Sequence, residues 1–237
     1  MSKLPVIQHP IFNIKVPSLK KEYKFRPFLV KEEKLLLIAK ESKSDADIFT
    51  AIKQIVQNCS LDKKLDINKL AIFDLEYLFL RLRGISIDNT VKITFKDYED
   101  SKIYEFDVNL EEIDVIFPEK IENNIKLSQK SGILMKHPSA SLYSDEEFLN
   151  LDKDHLFELI IRCIDKIYDG EEIYEAKDFN KKEIEEFLEN LSVKVFEQVQ
   201  KFLLSTPKLE HVIKYKNTLG NDRQITLNKL SDFFSWR

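Results

Sequence analysis

Glycine is scarce in this sequence, and none of its four glycines lies close to another: Gly84, Gly132, Gly170 and Gly220. A phosphate-binding loop needs clustered glycines, because only then can several backbone amides approach the anion. The chain also lacks any apolar run near the roughly 20 residues that a membrane-spanning helix requires. The sequence therefore predicts neither a phosphate-binding loop nor a membrane span.

Metal-binding and nucleophilic side chains are equally few. Cys59 and Cys163 are the only cysteines, and each lies on an apolar helical stripe. That setting predicts two buried, reduced thiols and no disulfide. No pair of histidines has the spacing of a helical zinc motif, and each histidine is explained by a loop, a strand end or a helix surface: His9, His137, His155 and His211.

The charge balance is mildly acidic. The 37 basic and 41 acidic residues among 237 leave a net charge of −4, so the chain as a whole has no electrostatic reason to bind nucleic acid. The residues after Met1 show no apolar signal core, and we expect a soluble intracellular protein. Most carboxylate pairs, such as Glu185 and Glu186, lie on polar helix faces that favour no acid–base role.

Alternating apolar residues predict several β-hairpins. The first joins a strand from Phe12 to Val16 to one from Glu22 to Phe25 through a turn at Pro17. The clearest joins Val91–Phe95 to Tyr104–Leu110 across a polar turn, and the last joins Val212–Lys216 to Gln224–Asn228. Shorter strands are expected at 115–117, 125–127 and 133–137.

Helical periodicity predicts two helical blocks. Pro27 biases Arg26 away from helix, so the chain changes from strand to a helix over 31–40 at that point. Gly84 and Gly170 are expected to end helices, and three capping patterns mark helix starts: Ser144 with Glu147, Asn180 with Glu183, and Ser192. The expected helices are 31–40, 44–59, 74–83, 156–167, 184–191 and 192–204.

These elements predict an α+β fold in which antiparallel hairpins pack against two helical blocks. We expect an N-terminal half over residues 1–120 and a C-terminal half over 121–237, which could also form one continuous domain. Both halves share the order helix, helix, strand pair. An internal duplication explains this shared order, and so does chance.

One surface feature is a candidate for partner binding. Phe233, Phe234 and Trp236 crowd the last five residues. They either dock on the protein's own core, which the solubility hazard of exposed aromatics favours, or bind a partner groove. Arg81 and Arg83 flank Leu82 and could bind an anion, but the sequence favours their interaction with the end of their helix.

Five stretches in the same order resemble a family of baseplate proteins from contractile-tailed, T-even-type bacteriophages, called baseplate hub subunits or hub assembly proteins. The stretches are KFRPFLVKEEKLLLIAKES, FDLEYLFLRLR, LMKHP, FLENLSVKVFEQVQKFLLSTPKLEH and LSDFF. The resemblance runs from about Leu4 to Phe234. In some members the middle hairpin carries cysteine pairs that suggest a metal site, but here that turn reads FKDYEDSKIYEF and has no cysteine.

The resemblance implies a non-enzymatic structural or assembly component of the tail baseplate hub, present in the virion tail or in the host cytoplasm during assembly. Its expected partners are other hub and tail proteins, with no nucleic acid, membrane, cofactor or metal. Two alternatives stay open. One is a small enzyme whose site assembles in the tertiary structure, and the other is a nucleic-acid-binding accessory factor.

Overall fold

The structure, a computed structural model, describes residues 7–42, 44–144, 148, 155–228 and 232. Helices and small antiparallel sheets make up an α+β fold, which confirms the predicted class. Contacts divide the chain into two compact units. The first unit contains the residues up to Ile116 and those from Lys208 on, and the second spans Phe117–Pro207.

In its described part, the first unit combines three helices with three small sheets. Its helices are α1 (Val30–Ser42), α2 (Asp45–Cys59) and α3 (Ile72–Ser86). Its strands are β1 (Phe12–Val16), β2 (Lys21–Phe25), β3 (Thr90–Lys96), β4 (Ile103–Asn109), β5 (Asp114–Ile116), β10 (Lys208–Lys216) and β11 (Asp222–Leu227). The sheets are β1–β2, β3–β4 and a three-stranded sheet of order β11-β10-β5.

The described residues of the second unit form three helices that pack on one four-stranded sheet of order β6-β7-β8-β9. The strands are β6 (Asn124–Lys126), β7 (Ser131–Met135), β8 (Ile164–Asp169) and β9 (Glu172–Glu175). The helices are α4 (His155–Cys163), α5 (Lys181–Glu189) and α6 (Val193–Leu204). Their apolar faces meet the sheet in a core that includes Ile133, Ile160, Cys163 and Val199.

A buried ion pair fixes the change from strand to helix after Pro27. Arg26 donates to both carboxylate oxygens of Glu32, at 2.9 and 3.1 Å, and the Leu29 amide donates to the same carboxylate at 2.9 Å. Glu32 has no exposed side-chain surface. Its burial would raise its pKa, but these hydrogen bonds outweigh burial and lower it. The predicted switch is therefore confirmed, and a paired carboxylate in the first turn of α1 accompanies it.

Helix starts follow the sequence signals. Ser44 accepts a hydrogen bond from the Asp47 amide at the start of α2, and Ser192 accepts one from Val195 at the start of α6. Asn180 and Glu183 form a full capping box on α5. The expected pattern of Ser144 with Glu147 lies partly outside the described residues.

The prediction for the two cysteines is confirmed. Cys59 and Cys163 are free and buried. Burial raises the pKa of each thiol to about 12, so both stay protonated at neutral pH.

The predicted helix over 156–167 is wrong in its second half. Helix α4 ends at Cys163, and Ile164 begins strand β8, which pairs on both sides with β7 and β9. Ile164 and Ile167 continue the helical spacing, but β-branched residues also suit a central strand, where two ladders satisfy the backbone. Strand β9 has no counterpart among the predicted elements. Gly170 has a positive φ of 62° in the β8–β9 turn and does not end a helix.

The predicted end of α3 at Gly84 is also wrong, because the helix continues to Ser86. A Cβ at Gly84 would meet Oδ1 of Asn89, so the Asn89 side chain would have to shift to accommodate it. The predicted C-terminal half 121–237 includes the last hairpin, β10–β11, whereas the contacts group that hairpin with the first unit through pairing of β10 with β5. The division into halves and their duplication stay predictions.

Among the described residues, no helix is long and apolar enough to cross a membrane.

Glu76 on α3 is an unusual carboxyl in this part of the chain. It is partly buried, and desolvation raises its pKa from 4.5 to about 7. The folded state therefore binds a proton on Glu76 at a pH where the unfolded chain has already released it.

We expect Glu76→Gln to stabilise the protein more at pH 8 than at pH 5. The contribution of Glu76 to the unfolding free energy of the wild type is most favourable below pH 4.5. It falls as pH rises toward about 7, because the folded protein must then ionise a desolvated carboxyl. The unfolding free energy of Glu76→Gln should exceed that of the wild type by at most about 3 kcal/mol. Urea titrations at both pH values measure it, with the exposed Glu105→Gln as control. An equal effect of Glu76→Gln at both pH values would contradict the assignment.

Candidate interaction surface

The turns of two hairpins meet at one end of the first unit and form a region that we call the hairpin tip. It comprises residues 97–103 of the β3–β4 hairpin and residues 217–221 of the β10–β11 hairpin. The first turn supplies carboxylates (Asp97, Glu99, Asp100), and the second supplies amide and hydroxyl donors (Asn217, Thr218, Asn221). Their sequence separation is 118 residues in the hydrogen bond between Asp100 and Thr218.

Asp97 is the buried centre of the hairpin tip. Its side chain has no exposed surface. Tyr215 donates its hydroxyl to Oδ2 at 2.7 Å, Arg223 Nε lies 3.3 Å from the same oxygen, and the Glu99 amide donates to Oδ1 at 2.8 Å. A buried carboxylate is costly unless it is paired and hydrogen-bonded, and here each oxygen has a donor.

The other two carboxylates bind the second turn directly. Asp100 accepts from the Thr218 amide at 2.9 Å and from the Thr218 hydroxyl at 2.8 Å, and also from Tyr104 at 2.5 Å. Glu99 accepts from the side-chain amides of Asn217 at 2.5 Å and Asn221 at 2.8 Å. Charge-assisted hydrogen bonds of this kind are about twice as strong as neutral ones. They therefore fix one turn against the other.

Aromatic rings support these hydrogen bonds from within the unit. The ring centroid of Tyr215 lies 4.8 Å from that of Tyr104 and 5.2 Å from that of Phe106. Tyr104 and Tyr215 thus contribute twice, since each ring packs in the cluster while its hydroxyl donates to an aspartate. The half-buried apolar faces of the two hairpins thus pack next to the polar turns and support their hydrogen bonds.

The titration of these groups follows from their contacts. The hydroxyl of Tyr215 and then the Glu99 amide lower the pKa of Asp97. Burial would raise the pKa of Asp100, but the hydrogen bonds from Tyr104, Lys102 and Thr218 outweigh it and lower it. Burial and the nearby Asp97 raise the pKa of Tyr215. Ionised acceptors whose lone pairs are already occupied are poorly suited to act as general bases at neutral pH.

Large apolar side chains project from this rigid base. Tyr98 is 85% exposed, Leu219 is 62% exposed and Ile103 is 67% exposed. Tyr98 lies between two of the carboxylates, and Leu219 lies next to Thr218, so the hydrogen-bonded turns hold both side chains outward. Tyrosine is common among interface hot spots, and a surface that is already ordered loses less entropy on binding. The arrangement is typical of a protein-binding surface.

The hairpin tip does not include the residues that the sequence singled out. Phe233, Phe234 and Trp236 are outside the described residues. Arg81 fits neither expected role, because its guanidinium donates to the backbone carbonyls of Leu110 and Ile113, each at 2.8 Å. Within the described part of the chain, no group of three or more His, Cys, Asp or Glu side chains could hold a metal ion.

His137 packs against an aromatic side chain of α6. Its ring stacks on that of Phe202 with centroids 5.1 Å apart. Burial lowers the pKa of His137, so its imidazole is neutral at pH 7. A neutral ring stacked on an aromatic is typical of packing.

Sequence reasoning identified both hairpins but missed the hairpin tip. A usable signal was present, because one turn (DYEDS) is rich in carboxylates and the other (NTLGN) is rich in donors. Complementary composition in two hairpin turns favours their contact. Composition alone does not show whether the polar groups of the two turns bind each other or bind water.

We expect Tyr215→Phe to lower the melting temperature at pH 7 by a few degrees, because Asp97 loses the donor that contributes most to its low pKa. The folded pKa of Asp97 lies below its ordinary 3.8. Its contribution is therefore complete above about pH 4 and is lost as pH falls further. The difference between variant and wild type should shrink accordingly in thermal melts below pH 4. Tyr98→Phe, on the exposed side of the same turn, is the control, and equal effects of the two substitutions would refute the role of Asp97.

Comparison with known proteins agrees with the resemblance seen in the sequence. The family described as "T4 bacteriophage base plate protein" matches residues 9–235, nearly the whole chain. Neither a curated protein nor a solved structure matches the chain. The match includes both structural units and the hairpin tip. The chain therefore belongs to the T4 bacteriophage base plate protein family and is a component of the baseplate of the virion tail.

Proposed function

We propose that this baseplate protein is a structural or assembly component of the central hub, and that it acts by protein–protein association without catalysis. Membership of the baseplate family supports association with other baseplate proteins. The hub position rests on the resemblance of five ordered stretches to hub subunits and hub assembly proteins. The observation that best supports association is the hairpin tip, where a hydrogen-bonded base presents Tyr98 and Leu219 to solvent.

The contacts of the hairpin tip favour binding over chemistry. Its three carboxylates are all engaged by donors from the second hairpin. A catalytic carboxylate pair needs two environments that separate the pKa values around the working pH, whereas the pKa values of Asp97 and Asp100 are both lowered. The two buried thiols have raised pKa values, which disfavours a thiolate nucleophile.

We expect the double substitution Tyr98→Ser with Leu219→Ser to abolish assembly without unfolding the protein. Two hot-spot side chains worth about 2 kcal/mol each correspond to roughly a thousand-fold loss of affinity. The assay supplies wild-type or variant protein to cells infected by phage that lack it, and measures infectious titre and baseplate proteins recovered with tagged protein. Val30→Ser, at an exposed position on α1, is the matched control.

Deletion of the protein should leave intact heads and no tails. Recovery of hub proteins with the wild type supports the hub position, and recovery of peripheral baseplate proteins alone would overturn it. Normal titre with the double variant, at wild-type melting temperature, would show that the hairpin tip is not the contact surface.

The C-terminal aromatics Phe233, Phe234 and Trp236 are proposed as a second partner-binding segment. Replacing all three with alanine separates the two interpretations. If the segment binds a partner, the melting temperature stays within about one degree of wild type while recovery of baseplate proteins falls. A drop of several degrees would instead show that these rings dock on the protein's own core, as the solubility argument favours.

A further inference from the structure

The two structural units carry opposite net charge. Residues 117–207 contain 19 acidic and 12 basic side chains, a net charge of −7, while the rest of the chain contains 22 acidic and 25 basic side chains, a net charge of +3. The overall value of −4 conceals this asymmetry. A chain with one basic and one acidic unit carries both halves of an electrostatically complementary contact between copies.

The basic charge is concentrated at the β1–β2 hairpin. Lys15 and Lys24 lie on its outer face, opposite Glu22 and Asn13 in the strand register. The loop after α2 runs beside β2, since the Leu61 amide donates to the Lys24 carbonyl at 2.8 Å. Six lysines of the hairpin and this loop are exposed, and in the described part of the chain none of them forms an ion pair: Lys15, Lys20, Lys21, Lys24, Lys63 and Lys64.

An exposed leucine projects from the turn of this hairpin. Leu19 is 49% exposed and is followed by Lys20 and Lys21. The turn is anchored, because Ser18 donates its amide and its hydroxyl to Asp74, at 2.9 and 2.5 Å. Asp74 is fully buried in the first turn of α3. Its carboxylate therefore fixes a turn that presents an apolar side chain followed by two cations.

The second unit has a groove of matching chemistry. It has a volume of about 500 Å³ and lies between the sheet and α5, with walls that include Ile167, Tyr174, Phe179 and Phe187. Strand β9, which contributes Tyr174, is also the edge of its sheet. The groove is therefore open to a segment that approaches from outside the unit.

Carboxylates lie at one end of this groove. Asp169 lines it at the end of β8, Glu171 follows in the β8–β9 turn, and Glu172 begins β9. Asp169 and Glu171 are exposed and have no ion-pair partner among the described residues. The groove thus combines apolar walls with unpaired negative charge, the complement of a leucine followed by two lysines.

We propose that the β1–β2 turn of one copy inserts Leu19 into the groove of the second unit of another copy, with Lys20 and Lys21 against Asp169 and Glu171. The apolar walls accept the leucine, and the acidic turn complements the lysines. This contact is heterologous, because the two surfaces differ, so repetition gives a closed ring or an open chain of copies. It goes beyond the proposed function, because it concerns copies of this chain and does not require the hub position.

Sedimentation velocity of the purified full chain at low and high salt tests the proposal. At about 50 mM NaCl and rising protein concentration, the mean mass should exceed the monomer mass of 28.0 kDa, and at about 500 mM it should return to that value, because exposed charges are screened. A chain that stays monomeric at every concentration and salt, or an association that salt does not weaken, would overturn the proposal.

Charge reversal on either surface should weaken association by about tenfold or more. The turn variant carries Lys20→Glu with Lys21→Glu, and the groove variant carries Asp169→Lys with Glu171→Lys. The matched control for the turn variant is Lys96→Glu with Lys214→Glu, which makes the same charge change at other exposed positions and should leave association unchanged.

Leu19→Ser tests the apolar part of the contact. It should weaken association while the melting temperature stays near wild type, because Leu19 is half-exposed in the free chain. Unchanged association of this variant would show that the leucine does not enter the groove.

Mixing the turn variant with the groove variant gives the decisive result. Each variant alone places like charges on both of its surfaces, so neither should associate with itself. In the mixture, the reversed turn of one chain faces the reversed groove of the other, and the two unchanged surfaces also face each other. Association should therefore return in the mixture.

A charge-matched mixture separates the assigned contact from general attraction between an acidic and a basic chain. Its basic member carries Glu105→Lys and Glu119→Lys, at two exposed positions that do not line the groove, together with Leu19→Ser, which disables its own turn without changing its charge. The turn variant mixed with this chain should associate less than the turn variant mixed with the groove variant. Equal association in the two mixtures, or none in either while the wild type associates, would refute the assigned pairing.

Discussion

The candidate surface of the first unit depends on hydrogen bonds between the carboxylates of one hairpin turn and the donors of another. They join segments that are 118 residues apart, because Tyr215 binds Asp97 and Thr218 binds Asp100. Asp97 is buried at their centre and is engaged by Tyr215, Arg223 and the Glu99 amide. Loss of these bonds would leave Tyr98 and Leu219 on two independent turns, where each would have to be ordered again on binding.

Two further buried carboxylates of this unit, Glu32 and Asp74, each fix a turn or a change of direction. Glu32 accepts from Arg26 and Leu29 where the chain turns from β2 into α1. Asp74 accepts from Ser18 and anchors the β1–β2 turn. In each case an acidic side chain is withdrawn from water and given specific donors, which is costly unless the geometry is maintained. The protein thus uses buried acids for positioning, and presents apolar side chains on the turns that they hold.

Local sequence signals predict much of this fold, but they do not indicate which distant segments of the chain pair. The β1–β2 hairpin, the switch at Pro27 and the caps at Ser44, Asn180 and Ser192 are short-range features whose physical causes lie within a few neighbouring residues. The end of α4 was mispredicted, because Ile164 and Ile167 satisfy helical spacing and strand propensity alike. Pairing of β10 with β5, and contact between two polar turns, depends on tertiary packing that periodicity does not encode.

Hydrogen exchange at the hairpin tip tests directly whether these hydrogen bonds hold the two turns together. The Glu99 amide donates to Asp97, and the Lys102 and Thr218 amides donate to Asp100, although all three donors lie in turns. Pairing of the two turns predicts that these amides exchange far more slowly than the unbonded amides of exposed loops, and that Asp100→Asn speeds exchange at Thr218 in the other hairpin. Fast exchange of all three amides in the wild type, as in an unstructured turn, would contradict it.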